Sequence, residues 1–454
     1  MRTRFCFSFL LALPLAAQAG PEALVDFLAV PGSAGLGAMQ RVQSSPYKGA
    51  ATGYDLVPLY LYEGERVYLH STRLGLKLFK QPASRFDLLL DYRFEGHPYD
   101  ETPAILTGMP KRNPSVDLGL GYRHRANWGN LDAEFLHDVG SASHGSELKI
   151  GYSYDWQAGR LHLRPSVTVS RRSANLNNYY YGVETEHANL QRPAYLPGAG
   201  VDWSLGLYGY YEMTQRWRLL GGVGVNFLDK TVRNSPLVEQ RVQPSALVGA
   251  AYDFGSHEGY AAPGSPLYVK LMGGMATDCN LLNAMTLRCT STNTPERTRI
   301  FGVALGKPLI ERVNNWPLDF VGYVGVLNHD ERGFQPDGLQ IDASVKVYYY
   351  GFPWSSRVRT RLGMGAGVSL AQRVPLVEAQ DQARRGRDTS KLLNYLDPSI
   401  DVSVGDLIGS RALSETYVGL GVSHRSGIFG ASQILGNING GSNYFYAYLD
   451  MKLR

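Results

Sequence analysis

Along most of this chain, apolar and polar residues alternate at every second position. In RFDLLLDYRF, Phe86, Leu88, Leu90, Tyr92 and Phe94 share one side, opposite Asp87, Asp91 and Arg93. In VDLGLGYRH, Val116, Leu118, Leu120 and Tyr122 stand opposite Asp117, Gly119, Gly121 and Arg123. VDWSLGLYGYY and LQIDASVKVYY repeat the pattern, with Val201, Trp203, Leu205 and Leu207 in one and Leu339, Ile341, Ala343, Val345 and Val347 in the other. A period of two sends successive side chains to opposite faces of a strand. Soluble sandwiches alternate too, but their strands centre on about five or six residues, whereas these run about ten, the span of a tilted membrane strand. Aromatic residues gather at strand ends, as in Tyr348, Tyr349 and Tyr350, in the manner of interfacial girdles. The opposite faces carry Asp, Arg, Lys, Gly and Tyr, which suits a hydrated or hydrogen-bonded lumen. The predicted fold class is all-β, built as transmembrane antiparallel β-barrels.

Spacing predicts two barrels in tandem. Between Ala34 and Phe254 the pattern gives about ten to twelve strands. A Gly/Ser/Pro break, GSHEGYAAPGSP, follows from Gly255 to Pro266. Eight more strands are expected near 266–277, 298–306, 317–328, 339–351, 357–370, 397–406, 416–425 and 442–454. The expected organisation is a first barrel over 20–254, a linker over 255–265 and an eight-stranded barrel over 266–454. An even first count returns the chain to the periplasm, where the second barrel can begin. In the second part the connections after odd strands are the longer ones, as extracellular loops are. Odd strands therefore run outward, and the loop that holds Cys279 and Cys289 is extracellular. The rival arrangement is one porin-like barrel of roughly eighteen to twenty strands.

The chain has 454 residues and begins MRTRFCFSFLLALPLAAQAG. Arg2 and Arg4, an apolar run and Ala17-Gln18-Ala19 form a secretory signal over 1–19, with cleavage expected near Ala19. Cys279 and Cys289 then remain, and an even pair in an exported protein points to a disulfide. Net charge is +5, but basic and acidic residues are interspersed, which disfavours nucleic acid as a partner. No apolar run approaches the ~18 residues of a spanning helix. With Gly 51 and Tyr 29, the composition suits an outer-membrane barrel of a Gram-negative bacterium. No carboxylate cluster has metal-ligand spacing, and no cofactor is implied.

The first half carries a resemblance. NNYYYGV, then RPAYLPGAGVDWSLGLYGYYEMTQRWRLLGGVGVNFLDKTVRNSPLV, resembles the MltA-interacting protein (MipA)/OmpV outer-membrane family. The pieces that carry it are YYGV, Arg192-Pro193-Ala194-Tyr195 with the following PGAG, and NSPLV after a Gly-rich strand. The resemblance spans roughly 27–254. It implies a barrel linked to envelope maintenance, with periplasmic cell-wall enzymes as partners and no agreed catalytic site.

The strand TYVGLGVSHRS sets Thr416, Val418, Leu420, Val422, His424 and Ser426 on one side. The apolar members require that side to face lipid, and the outward run places His424 and Ser426 at the outer leaflet, where lipid A resides. In GSNYFYAYLDM, Phe445, Ala447, Leu449 and Met451 face lipid, so Asn443 joins His424, while Tyr444, Tyr446 and Tyr448 crowd the lumen. Nucleophile, base and orienting group are the parts of acyl hydrolysis. Gly427, Gly440 and Gly441 offer an oxyanion site or simply a tight loop.

HRSGIFG followed by GGSNY resembles the lipid A 3-O-deacylase (acyloxyacyl hydrolase-like) family. That resemblance implies an eight-stranded enzyme that removes an acyl chain of lipid A, with Ser426 as nucleophile and His424 as base. The family's Glu has no match: 427–449 contains no acidic residue, Asp450 belongs to the polar face, and Asp406 and Glu415 lie at the other end. Asn443 is left as orienter. Three functions follow from these residues: a lipid A ester hydrolase, a non-enzymatic envelope scaffold, or a porin-like channel. In the scaffold reading, His424 and Ser426 are interfacial polar residues.

Overall fold

The structure, a computed structural model, describes residues 24, 27–28, 34–97, 102–140, 142–253, 266–286, 288–292, 294–312, 316–427, 438 and 440–453. The expected signal, 1–19, and the expected linker, 255–265, lie outside the described residues. The chain divides into two compact units, Met1–Gly255 and Ser256–Arg454.

The first unit contains β1 (Ala34–Gln43), β2 (Gly53–Glu63), β3 (Val67–His70), β4 (Arg73–Lys80), β5 (Ser84–Arg93), β6 (Ser115–Ala126) and β7 (Gly129–Asp138). It continues through β8 (Ser146–Ser153), β9 (Trp156–Ala158), β10 (Leu161–Arg172), β11 (Gly200–Glu212), β12 (Trp217–Phe227) and β13 (Val242–Asp253). Neighbours pair antiparallel, and β1 pairs with β13 to close the ring. The short β9 extends β8 along β10, so the closed barrel has 12 strands. Alternation is borne out directly. Leu118, Leu120, Val201, Trp203, Leu205 and Leu207 are exposed on the outer wall, while Asp117 and Asp202 are buried within.

The long connections 94–114, 173–199 and 228–241 leave one end of this barrel, which marks it as extracellular. They carry α1 (Ala174–Tyr181) and α2 (Lys230–Arg233), whose N-caps are Ser173 and Asp229. The loops pack through Tyr47, Leu106, Tyr180, Val183, Val232 and Leu237. Tyr47 Oη donates to the Tyr180 carbonyl at 2.9 Å, Ser235 Oγ to that of Tyr181 at 2.6 Å, and Arg192 Nη1 to that of Ile105 at 2.6 Å. They form a cap. Toward the periplasmic end, Leu24 and Leu28 are buried against Met39, Val57, Leu59, Tyr208, Tyr210 and Leu247.

The second unit is a closed barrel of eight strands: β14 (Tyr268–Thr277), β15 (Arg299–Ile310), β16 (Leu318–Asp330), β17 (Gly338–Tyr349), β18 (Thr360–Ala371), β19 (Leu392–Ser403), β20 (Thr416–Ser426) and β21 (Gly441–Lys452). Its helices are α3 (Leu281–Met285), α4 (Leu376–Arg384) and α5 (Val404–Ile408). The strand expected over 397–406 instead occupies Leu392–Ser403. It stops there because Ser403 Oγ accepts from Asp406 N at 3.2 Å and caps α5. Glycine and tyrosine pair across strands inside this narrow barrel: Gly421 opposite Tyr446, Gly419 opposite Tyr448 and Gly306 opposite Tyr323. A Cβ on Gly421 would stand 2.6 Å from the Tyr446 ring, so the missing side chain makes the room the phenol fills.

Candidate functional site

The second lumen is packed shut by charge and aromatic rings. Lys346 Nζ meets Asp397 at 2.6 Å, and Arg361 binds Asp401 at 2.8 Å and Asp450 at 2.9 Å. Tyr448 Oη donates to Asp401 at 2.6 Å and Tyr323 Oη to Asp450 at 3.0 Å. Lys270 lies 4.2 Å from the Tyr323 ring centre, and Arg361 lies 3.5 Å from that of Tyr417. At the outer end α4 turns inward. Glu378 and Gln382 are fully buried, Arg425 Nε donates to Glu378 Oε2 at 3.1 Å, and Ser442 Oγ donates to the same oxygen at 3.1 Å. Arg425 Nη1 also reaches Ser369 Oγ at 2.6 Å. Burial pushes the Glu378 carboxyl above its ordinary range, while the Arg425 guanidinium pulls it back.

His424, Ser426 and Asn443 occupy the outer face of β20 and β21, as strand parity requires, and His424 stands opposite Asn443. His424 Nδ1 and Asn443 Oδ1 are 2.6 Å apart, and Asn443 Nδ2 donates to the Cys279 carbonyl at 2.8 Å. The Asn therefore has both ends engaged. Ser426 makes no hydrogen bond to His424, and no carboxylate joins the group among the described residues. A nucleophile is activated through a hydrogen bond to its base, and none joins this pair among the described residues.

The wall is not open to lipid at this point, contrary to the expectation from parity alone. The 278–298 loop folds down over it. Cys279 and Cys289 are disulfide-bonded, with Cα atoms 5.7 Å apart, and Cys279, Ala284 and Val422 form a buried cluster to which Leu281 and Phe445 add. His424 is half-buried and Val422 is 5% exposed, whereas Leu420, one turn of the pleat below, is 65% exposed. Leu282 and Met285 of α3 take over the outward apolar surface at 72% and 45%. Gly427 and Gly441 stand where crowding leaves no room for a side chain. A Cβ on Gly441 would stand 1.7 Å from the Arg425 carbonyl oxygen, and one on Gly427 would stand 2.0 Å from that of Ile438.

At the other end, Asp406 and Glu415 are the partners of Arg359, at 2.9 Å and 2.5 Å, and so belong to the α5 turn. Arg359's hydrogen bonds are what chiefly hold Asp406 below the usual carboxylate range. Two features that sequence reasoning missed are the inward α4 and the packing of Leu24, Phe27 and Leu28 into the first barrel. Each had a signal. LVEAQDQAR places Leu376, Gln380 and Ala383 at helical spacing, and Leu24, Phe27 and Leu28 do so directly after the expected cleavage site.

Comparison with known proteins bears on the first unit. The family model for MltA-interacting protein MipA matches residues 36–254. Outer membrane protein Omp26La of Vibrio anguillarum is 31% identical over 196 residues, 42% of this chain and 76% of that protein. Outer membrane protein OmpV of Vibrio cholerae is 30% identical, covering 42% of this chain and 76% of its own length. The MltA-interacting protein of Escherichia coli is 26% identical over 49% of this chain and 91% of that protein. These matches give no support to the lipid A 3-O-deacylase resemblance of the second unit. Through its first barrel, the chain is an outer-membrane protein that belongs to the MltA-interacting protein MipA family.

Proposed function

We propose that the protein is a non-enzymatic outer-membrane scaffold whose first barrel engages a periplasmic cell-wall enzyme. The observation that carries this reading is the family match over 36–254, together with a relative named for its interaction with MltA. The second barrel supports it by what it lacks the means to do. Its lumen is filled by Lys346, Asp397, Arg361 and inward tyrosines, which disfavours a channel there. Capture of MltA on the full-length protein in nanodiscs is the direct test: retention above an unrelated barrel is expected, and equal retention sinks the reading.

Ester hydrolysis of lipid A is the second reading, and the His424–Asn443 contact is what favours it. Against it stand the unjoined Ser426, the missing carboxylate and the stapled loop over the wall. Mass spectra of lipid A from cells expressing the wild type or Ser426→Ala separate the two readings. Identical acylation is expected; loss of a deacylated species only in the variant would restore the enzyme.

A further inference from the structure

One stretch of the first unit leaves its backbone unpaired. β8 and β9 keep a single register along β10, with Ser153 opposite Ser166 and Trp156 opposite Leu163. On its other side, β8 is paired with β7 only as far as Ser153, opposite Asn130. There β7 begins, because Asn127 and Trp128 turn the chain out of β6 and set Ala126 opposite Gly129. Gly129 takes φ 134°, and a Cβ on it would stand 2.8 Å from the Ser153 carbonyl oxygen. The stretch from Tyr154 to Ala158 therefore continues past the end of its neighbour. Tyr154 N donates to the Pro165 carbonyl at 3.1 Å, so the N–H and C=O of Asp155 and Gln157 point the opposite way. Neither residue meets a backbone partner there among the described residues. Residues 154–160 are all exposed. The long connections leave the other end of the barrel, so this hairpin stands on the periplasmic side. Open backbone groups are tolerated in water and not in hydrocarbon, which agrees with that placement.

The edge is both rigid and undefended. Arg164 Nη2 donates to Asp155 Oδ2 at 2.8 Å on the inner side, and Gln157 Nε2 donates to the Gly159 carbonyl at 3.1 Å. Exposed edges are commonly blunted by Lys, Pro, a bulge or a covering loop. YDWQA contains neither Lys nor Pro, and its register with β10 is unbroken. Trp128, Tyr154 and Trp156 are exposed beside it. Donors and acceptors that alternate along a strand are matched by another extended backbone, while flanking side chains select the sequence that brings it. We propose that the Tyr154–Ala158 edge is where the first barrel receives its periplasmic partner, which docks an extended segment as an added strand and sets an apolar side chain against Trp128 and Trp156. The inference rests on the scaffold reading and names the surface that serves it.

The test uses the full chain in nanodiscs, with MltA as the added partner. The Asp155 and Gln157 amides exchange fast in the free protein and slow at least about tenfold at saturating MltA, the effect of ~1.4 kcal/mol of protection. Those of Thr168 and Ser204, within the barrel wall, do not change. Gln157→Pro removes a donor of the open edge, and MltA retention falls at least about tenfold. Trp128→Ala leaves the edge backbone as it is and lowers retention at least about fivefold. Heat-modifiable gel mobility confirms that each variant is folded. Slow exchange at both amides before MltA is added overturns the open edge and assigns it to the chain itself or to a second copy. Retention that leaves both amides fast and survives both substitutions overturns the docking edge, while the scaffold reading stands. Absence of MltA retention on the wild type overturns both.

Discussion

Arg425 decides the outer end of the second barrel. Its guanidinium is buried and bound to Glu378 and Ser369. Removing one member of such a pair strands the other charge away from water. Arg425→Met is expected to cost about 3–5 kcal/mol, read as a lower temperature for loss of heat-modifiable mobility. Packing sets the next prediction. Gly421→Val pushes two methyl groups into the Tyr446 ring and is expected to destabilise by about 1–3 kcal/mol in the same assay. The inward tyrosines were legible in the sequence, because parity alone assigns Tyr444, Tyr446 and Tyr448 to the lumen. The partner of Arg425 was not. It arrives from a helix in a distant loop, and alternation along a strand holds no information about what descends into the barrel from above.

At the scale of elements, the same limit explains the candidate site. Parity placed His424, Ser426 and Asn443 on the outer face, where they are. It could not foresee that α3 and the disulfide would be laid over that face, because the loop makes its contacts through tertiary packing rather than periodicity. Replacing Cys279 and Cys289 by Ser is expected to cost about 2–3 kcal/mol, for the short loop that the bridge closes. Amide exchange at Val422 and Asn443 is expected to rise in that variant, with little change at Leu393 on β19. The α5 turn responds to acid. Folding favours ionised Asp406, so its contribution is complete at neutral pH and is lost as the pH falls through its lowered pKa, below about pH 4. Protection of the α5 amides from exchange, corrected for the intrinsic rate at each pH, is expected to fall as the pH drops below about 4, and Asp406→Asn to flatten that change.

For the whole molecule, alternation over long strands was enough to give two closed barrels, because a sheet in lipid has no tolerated edge and must close. The even count of the first barrel brings its last strand back to the side from which its first strand started. Each unit closes its own hydrogen-bonded ring, β1 with β13 and β14 with β21. A protease site inserted between 255 and 265 is therefore expected to yield, on cleavage, two fragments that both keep heat-modifiable mobility. Loss of mobility in either fragment would mean that closure depends on the other unit. The content of the first lumen was beyond the reach of pattern. Paired charges inside a barrel read the same from sequence whether they fill it or leave a chamber.

The disulfide over the β20–β21 wall also has a consequence in time. A bridge between Cys279 and Cys289 cannot persist in a reducing cytoplasm and forms only after export. The strands of the second barrel carry everything needed for ring closure, whereas the covering of His424 awaits an oxidant. The staple over the wall is therefore set outside the cytoplasm, where ring closure of the second barrel also takes place.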